Sequence, residues 1–249
     1  IEGNPYSFIG QQDTSPRNYV IRAKINHRPP GDWSMVVGDF AHNARAALNM
    51  IAYEASTLPV TKRFLIQFPI FDTEEKYLNA KERILGGVSA SRRALMERFQ
   101  PYQRGGDFAA DPLAILAHIN DADKHRTIQV VGVATNFTGI SFSRPTSFGG
   151  ITIAAGVTFG PGVEMGVRGG NPSFSIEAVN RGVISEDGAA VARVVVPPNT
   201  QVQMQPHATI RVQFHEGSER AQGRPVLDTL TLILNRVKEV VADFEPEFA

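Results

Sequence analysis

Two short stretches of the sequence hold the side chains that could bind a ligand or transfer a proton. The first, residues 38–49, contains His42, Arg45 and Asn49. The second, residues 119–126, contains the other polar candidates, Asn120, Asp123, Lys124 and His125. Arginine can hold a carboxylate or phosphate with two parallel hydrogen bonds, and histidine changes charge near neutral pH. The two stretches hold more hydrogen-bonding side chains than a structural helix requires, but their spacing defines no reaction, so the catalytic residues are left unknown.

Helical periodicity predicts how the first stretch is positioned. At about 100° per residue, the apolar positions fall on one face of a helix. These positions are Val37, Phe40, Ala41, Ala44, Leu48, Ile51, Ala52 and Ala55. His42, Arg45 and Asn49 lie on one flank of that face. They form either a solvated surface or a polar seam against a second helix, and the many alanines nearby would let such a helix approach closely.

The second stretch ends another predicted helix, which begins at Asp111 and Pro112. Aspartate caps helix N-termini, and proline suits the first helical position. His118, Asp121 and His125 are three and four residues apart and therefore share one face. Such a stripe supplies only part of a metal's coordination shell, so we predict no metal and no cofactor. A metal-dependent hydrolase that uses these three residues stays an alternative hypothesis.

The pattern of predicted elements indicates an α+β fold. We expect residues 1–18 to be irregular and residues 19–26 to form a strand, followed by helices up to residue 126. Thr73 and Ser89 should cap two of these helices. Short segments separated by glycine and proline then predict an antiparallel sheet, with strands at residues 127–133, 138–142, 151–159, 174–179, 190–196 and 208–214. A long helix should begin near Pro225. We therefore predict a mainly helical region with a leading strand at residues 1–126 and an antiparallel sheet with a C-terminal helix at residues 127–249. These regions form either two domains or one integrated domain.

Composition narrows the classes of partner. The 25 basic and 25 acidic residues balance, which argues against steering of the whole protein toward nucleic acid. One local cluster is nevertheless basic, formed by Lys81, Arg83, Arg92, Arg93, Arg98 and Arg104. No apolar run approaches the ~20 residues of a membrane span, so we expect no membrane partner. The absence of cysteine excludes disulfides and thiolate chemistry, and it favours a cytoplasmic protein.

Four stretches together resemble a family of uncharacterised bacterial proteins. They are Gly38-Asp39-Phe40-x-His42-Asn43-x-Arg45-x-Ala47-Leu48-Asn49, Phe68-Pro69-Ile70-Phe71, Gln100-Pro101-Tyr102 and Asn120-x-x-Asp123-Lys124-His125-Arg126. Family members commonly have Leu-Arg-Ser-Ala-Leu-Asp-His in the first stretch and Asn-Asn-Ile-Asp-Lys-His-Arg in the last. The resemblance also includes Gly223-Arg224-Pro225-Val226-Leu227, so it spans most of the chain, but it implies no established activity.

The helical part also resembles HEPN-type domains, some of which cut RNA with an arginine and a histidine paired across a dimer. The matching positions here are Arg45 and Met50, and methionine cannot act as an acid or base. The intact ribonuclease motif is therefore absent. In a degenerate version, His42 or His125 would replace the missing histidine, and Lys124 would neutralise the RNA backbone.

The sequence thus favours a non-catalytic or regulatory binding protein with a polar site between the two motif helices. The alternatives are a degenerate HEPN-type RNA-binding protein or ribonuclease and the metal-dependent hydrolase. Whether the protein is an enzyme, a homodimer or an RNA binder is left open. We also predict that the two helices pack side by side, with Arg45 and Asp123 in one hydrogen-bonded cluster, because a partly buried charge needs a partner.

Overall fold

The structure is a computed structural model that describes residues 6–27, 32–125, 130–148, 151–165, 174–179, 184, 186–197, 203–214 and 219–248. Five α-helices lie in these ranges: α1 (Trp33–Ala55), α2 (Glu74–Ile84), α3 (Ala90–Arg98), α4 (Pro112–His125) and α5 (Val226–Phe244). The first strands are β1 (Tyr6–Gln12), β2 (Asn18–Ile25), β3 (Val130–Phe142), β4 (Thr146–Phe148) and β5 (Ile151–Ile153). The later strands are β6 (Thr158–Phe159), β7 (Glu164–Met165), β8 (Phe174–Ala178), β9 (Ala190–Val195) and β10 (Met204–Phe214). Helices combined with antiparallel sheets confirm the predicted α+β class.

The chain forms two compact units, and each is built from two separate segments. The sheet unit contains Ile1–Pro30 and Val131–Val212, and the helical unit contains Gly31–Val130 and Gln213–Ala249. The units are therefore not the consecutive regions 1–126 and 127–249. The leading strands belong with the sheet because β2 pairs with β9. The C-terminal helix belongs with the helical unit because α5 packs against α1 and α4.

The sheet unit contains a five-stranded sheet in the order β1-β2-β9-β8-β7, a three-stranded sheet in the order β10-β3-β6, and the β4-β5 hairpin. Buried side chains from both larger sheets form one core, which includes the mutually packed rings of Phe142 and Phe174. The prediction that residues 1–18 are irregular is wrong for β1. This strand pairs antiparallel with β2 from Tyr6 opposite Ile25 to Gln12 opposite Tyr19. Its hydrogen bonds come from this neighbour, which compensates for its weak apolar alternation.

Two predicted strand boundaries also change. The predicted strand over residues 151–159 is interrupted between β5 and β6, where Gly156 adopts a left-handed φ of 82° and donates its N–H to Phe142. The predicted strands 127–133 and 138–142 are one strand, β3, from residue 130 onward, while residues 127–129 lie outside the described residues. A glycine turn can break an apolar run that pattern alone makes continuous.

The helix starts in the helical unit follow the predicted local signals. Thr73 caps α2 by accepting from the Lys76 N–H at 3.3 Å, and Ser89 caps α3 by accepting from Arg92 at 3.4 Å. Asp111 accepts from the Leu113 N–H at 2.8 Å at the start of α4. These bonds satisfy N–H groups that the first helical turn leaves unpaired, so the caps confirm the predicted boundaries.

Helices α1, α4 and α5 pack against one another and position the candidate residues. The predicted apolar face of α1 is buried, apart from the half-buried Phe40. On α5, Leu227, Leu232 and Leu234 are exposed in the single chain, and the homodimer stays a prediction. Within the described part of the chain, no helix is long and apolar enough to span a membrane.

Candidate functional site

Two side chains of the first motif bind the backbone of one residue. The Arg45 Nη2 donates to the carbonyl oxygen of Phe68 at 2.8 Å, and the Asn49 Oδ1 accepts from the Phe68 N–H at 3.1 Å. Arg45 and Asn49 lie one turn apart on α1, so they present a donor and an acceptor along the same flank. Phe68 is fully buried in an extended segment without a strand partner. The two side chains thus replace the hydrogen bonds that a neighbouring strand would supply.

Gln100 holds the next part of the same segment. Its Oε1 accepts from the Phe71 N–H at 3.1 Å, while its Nε2 donates to the carbonyl oxygens of Pro69 at 2.8 Å and Met96 at 3.1 Å. Gln100 is 1% exposed. The stretches that contain Arg45, Phe68 and Gln100 therefore form one clamp around an extended segment. Sequence reasoning missed this role, although the resemblance had brought the same stretches together.

Arg45 is the charged centre of the clamp. Burial lowers its pKa to about 10, and the nearby Asp121 carboxylate opposes part of that lowering. The Arg45 Nη1 is shielded from solvent and has no hydrogen-bond partner among the described residues. An unmade bond at a buried charged group is costly, so this nitrogen is a donor in need of an acceptor.

The remaining predicted residues lie in different environments. His42 is exposed on α1, and Asn120 is buried on α4. Asp123, Lys124 and His125 belong to the last turn of α4, but their side chains lie outside the described residues. The predicted packing of α1 against α4 is confirmed. The predicted hydrogen bond between Arg45 and Asp123 stays a prediction, and the described carboxylate that influences Arg45 is Asp121.

The metal hypothesis depends partly on a side chain that is not described. His118 is half-buried and Asp121 is exposed on α4, while the His125 side chain lies outside the described residues. Within the part of the chain that the structure describes, no three His, Asp or Glu side chains cluster as metal ligands would. The three-residue metal stripe therefore stays a hypothesis without support from a second group of ligands.

Much of the basic cluster is paired within the chain. Four of its arginines face carboxylates: Arg92 with Glu247 at 3.2 Å, Arg93 with Glu82 at 2.7 Å, Arg98 with Asp243 at 2.6 Å and Arg104 with Asp111 at 2.8 Å. A phosphate backbone would have to compete with these carboxylates for the same guanidinium groups. Ion pairing within the helical unit therefore accounts for four of these arginines, and RNA binding stays a prediction.

The fold and site describe an α+β protein whose motif residues join α1 to a buried extended segment. Comparison with known proteins gives no further assignment, since no protein-family model, curated protein or solved structure matches the chain. The resemblance to an uncharacterised bacterial family and the distant HEPN-like resemblance therefore stay predictions.

Proposed function

We propose that this is a non-catalytic binding protein that recognises an anionic group, a carboxylate or a phosphate, at the Arg45 flank of α1, where that helix faces α4. The Arg45 Nη1 is the single observation that carries the proposal: it is buried and has no hydrogen-bond partner among the described residues. A ligand oxygen at this nitrogen would supply the missing acceptor and interact with a guanidinium that burial has removed from water. Arg45 as a whole is half-buried, whereas its Nη1 is shielded from solvent, so a ligand oxygen reaches this nitrogen only when the neighbouring side chains move aside.

Binding accounts for these residues better than catalysis. The side chain of Asn49, one Arg45 nitrogen and both polar atoms of Gln100 are already bonded to backbone groups. A catalytic acid or base must reach the reacting proton, usually at about 3 Å. In the described part of the chain, His42 forms no hydrogen bond with Arg45. The site is therefore suited to hold a ligand in a fixed position rather than to transform it.

Thermal unfolding in the presence of two anions tests the proposal. Inorganic phosphate and succinate are each titrated at constant ionic strength against the wild type, Arg45→Gln and the control Asn43→Leu. Asn43 is exposed on the same helix. We expect at least one anion to raise the Tm of the wild type and the control, since a ligand that binds only the folded state stabilises it by about 2.7 kcal/mol at 100 times Kd. Arg45→Gln should show no such increase.

Two outcomes would overturn the proposal: no specific increase in the wild type, or an equal increase in Arg45→Gln. The RNA-directed alternative is examined with a fluorescein-labelled oligoribonucleotide. Binding that depends on Arg45, accompanied by cleavage over time, would replace a non-catalytic function with a ribonuclease.

A further inference from the structure

The sheet unit contains a cavity of about 540 Å³ that none of the motifs predicted. The cavity is lined by residues of β1, β3 and β10 and by Asn26, which follows β2. β1 and β10 are each the terminal strand of their sheet among the described strands, so the cavity lies beside two terminal strands. Its volume falls within the range of roughly 300–1,000 Å³ that is typical of small-molecule sites.

One side chain that lines the cavity is held in position by a buried hydroxyl group. The His207 imidazole Nε2 is 2.8 Å from the Oγ of Ser141, which is 3% exposed on β3. His207 itself is exposed and lines the cavity. In the described part of the chain, its Nδ1 forms no hydrogen bond. A buried hydroxyl therefore orients the imidazole and leaves one ring nitrogen for a ligand.

The lining defines the chemistry of the ligand. Ser7, Asn26, Thr138 and His207 supply hydroxyl, amide and imidazole groups, which can donate or accept hydrogen bonds. The Phe8 ring adds an apolar surface, and among the described residues no Asp, Glu, Lys or Arg side chain lines the cavity. These residues offer a charged ligand no carboxylate, ammonium or guanidinium group as counter-ion, whereas hydroxyl groups on a ring with an apolar face would match both kinds of lining.

From these observations we infer that the cavity binds a neutral, hydroxyl-rich small molecule of the carbohydrate type. This inference does not depend on the proposed anion site, because every residue that lines the cavity belongs to the sheet unit and Arg45 belongs to the helical unit. The cavity is open toward solvent through the exposed Asn26, Thr138 and His207. We therefore expect weak binding, with dissociation constants from about micromolar to millimolar.

Saturation-transfer NMR tests this inference with glucose, galactose, mannose, N-acetylglucosamine, maltose and cellobiose at up to about 10 mM, which detects millimolar binding. Glucuronate is the matched charged probe, since it differs from glucose by one carboxylate. We expect at least one neutral sugar to bind and to shift amide signals of β1 and β10, and we expect glucuronate to bind more weakly than glucose. Absence of binding by every neutral sugar, or preference for glucuronate, would overturn the inference.

Variants then locate the binding site. Asn26→Ala and His207→Phe should each weaken binding of the best sugar by about tenfold, the effect of one well-placed hydrogen bond. Ser147→Ala is the control, because its hydroxyl pairs with Thr152 in the β4-β5 hairpin and lies outside the cavity lining. Ser141→Ala should change the ¹⁵N signals of the His207 ring and weaken binding less than His207→Phe does. Equal binding by the wild type, Asn26→Ala and His207→Phe would contradict the assignment of the binding site. Circular dichroism checks that each variant is correctly folded.

Discussion

Replacing Asn49 with leucine should destabilise the helical unit more than replacing Arg45 with methionine. In Asn49→Leu the side chain keeps a similar size, but the buried Phe68 N–H loses its acceptor. A buried donor left unsatisfied costs about 1–3 kcal/mol. Leucine also favours the helix slightly, and this gain must be subtracted. Asn43→Leu provides the correction, since it makes the same change at an exposed position of the same helix.

For Arg45→Met, two effects of similar size oppose each other. The variant loses a charged hydrogen bond to Phe68, which is worth about 1.5–3 kcal/mol. It also removes a guanidinium whose pKa burial has lowered to about 10, and a lowering of this size corresponds to about 3 kcal/mol of unfavourable burial. The net change should therefore lie between about zero and a gain in stability of about 1.5 kcal/mol.

Urea denaturation of the wild type and the three variants measures these differences. The fluorescence of Trp33, the single tryptophan of the chain, reports on α1, and the midpoint shift at constant slope gives the change in stability. A loss in Asn49→Leu within about 0.5 kcal/mol of that in Asn43→Leu would refute the clamp. A loss of about 3–5 kcal/mol in Arg45→Met would refute the cancellation and would indicate a buried carboxylate that depends on Arg45.

Three further predictions concern other parts of the structure. Gln100→Leu leaves the Phe71 N–H and the Pro69 carbonyl without their partner, while the Met96 carbonyl keeps the Phe99 N–H. Urea denaturation should therefore show a loss of about 2 kcal/mol or more, and an unchanged midpoint would contradict it. Burial, with a smaller contribution from Glu97, raises the pKa of Tyr77 from 10.0 to about 12. Its neutral form is therefore favoured in the folded state, and the stability it contributes is complete below pH 10 and lost between pH 10 and 12. Between pH 10 and 12 the free energy of unfolding of Tyr77→Phe should fall by about 3 kcal/mol less than that of the wild type, as measured by urea denaturation at each pH. Parallel plots of the free energy of unfolding against pH for the two proteins would refute this. A Cβ at Gly139, where φ is 143°, would lie 2.1 Å from the Phe159 carbonyl oxygen, so Gly139→Ala should lower the free energy of unfolding by about 3 kcal/mol or more. Gly160→Ala is the control: its Cβ would meet only ordinary contact distances, so this variant should have little effect on thermal unfolding.

Short-range signals determined the helices of this protein before any tertiary contact was known. The caps at Thr73, Ser89 and Asp111 act within three residues, and the apolar face of α1 follows from the 3.6-residue period. The same reasoning located Arg45 and Asn49 together on one flank of α1. Each of these inferences depends on neighbours within one or two helical turns, and such neighbours are visible in the sequence.

Only the tertiary structure decided what those side chains contact. Asn49 and Arg45 bind Phe68, which lies 19 and 23 residues away, and Gln100 reaches Pro69 across 31 residues. β1 has weak alternation and becomes a strand because β2 pairs with it. The closeness of Asp121 to Arg45 depends on how α4 is rotated against α1. Helical periodicity specifies which face of a helix is apolar, but the choice of partner for a polar side chain depends on the packing of segments that are distant in the sequence.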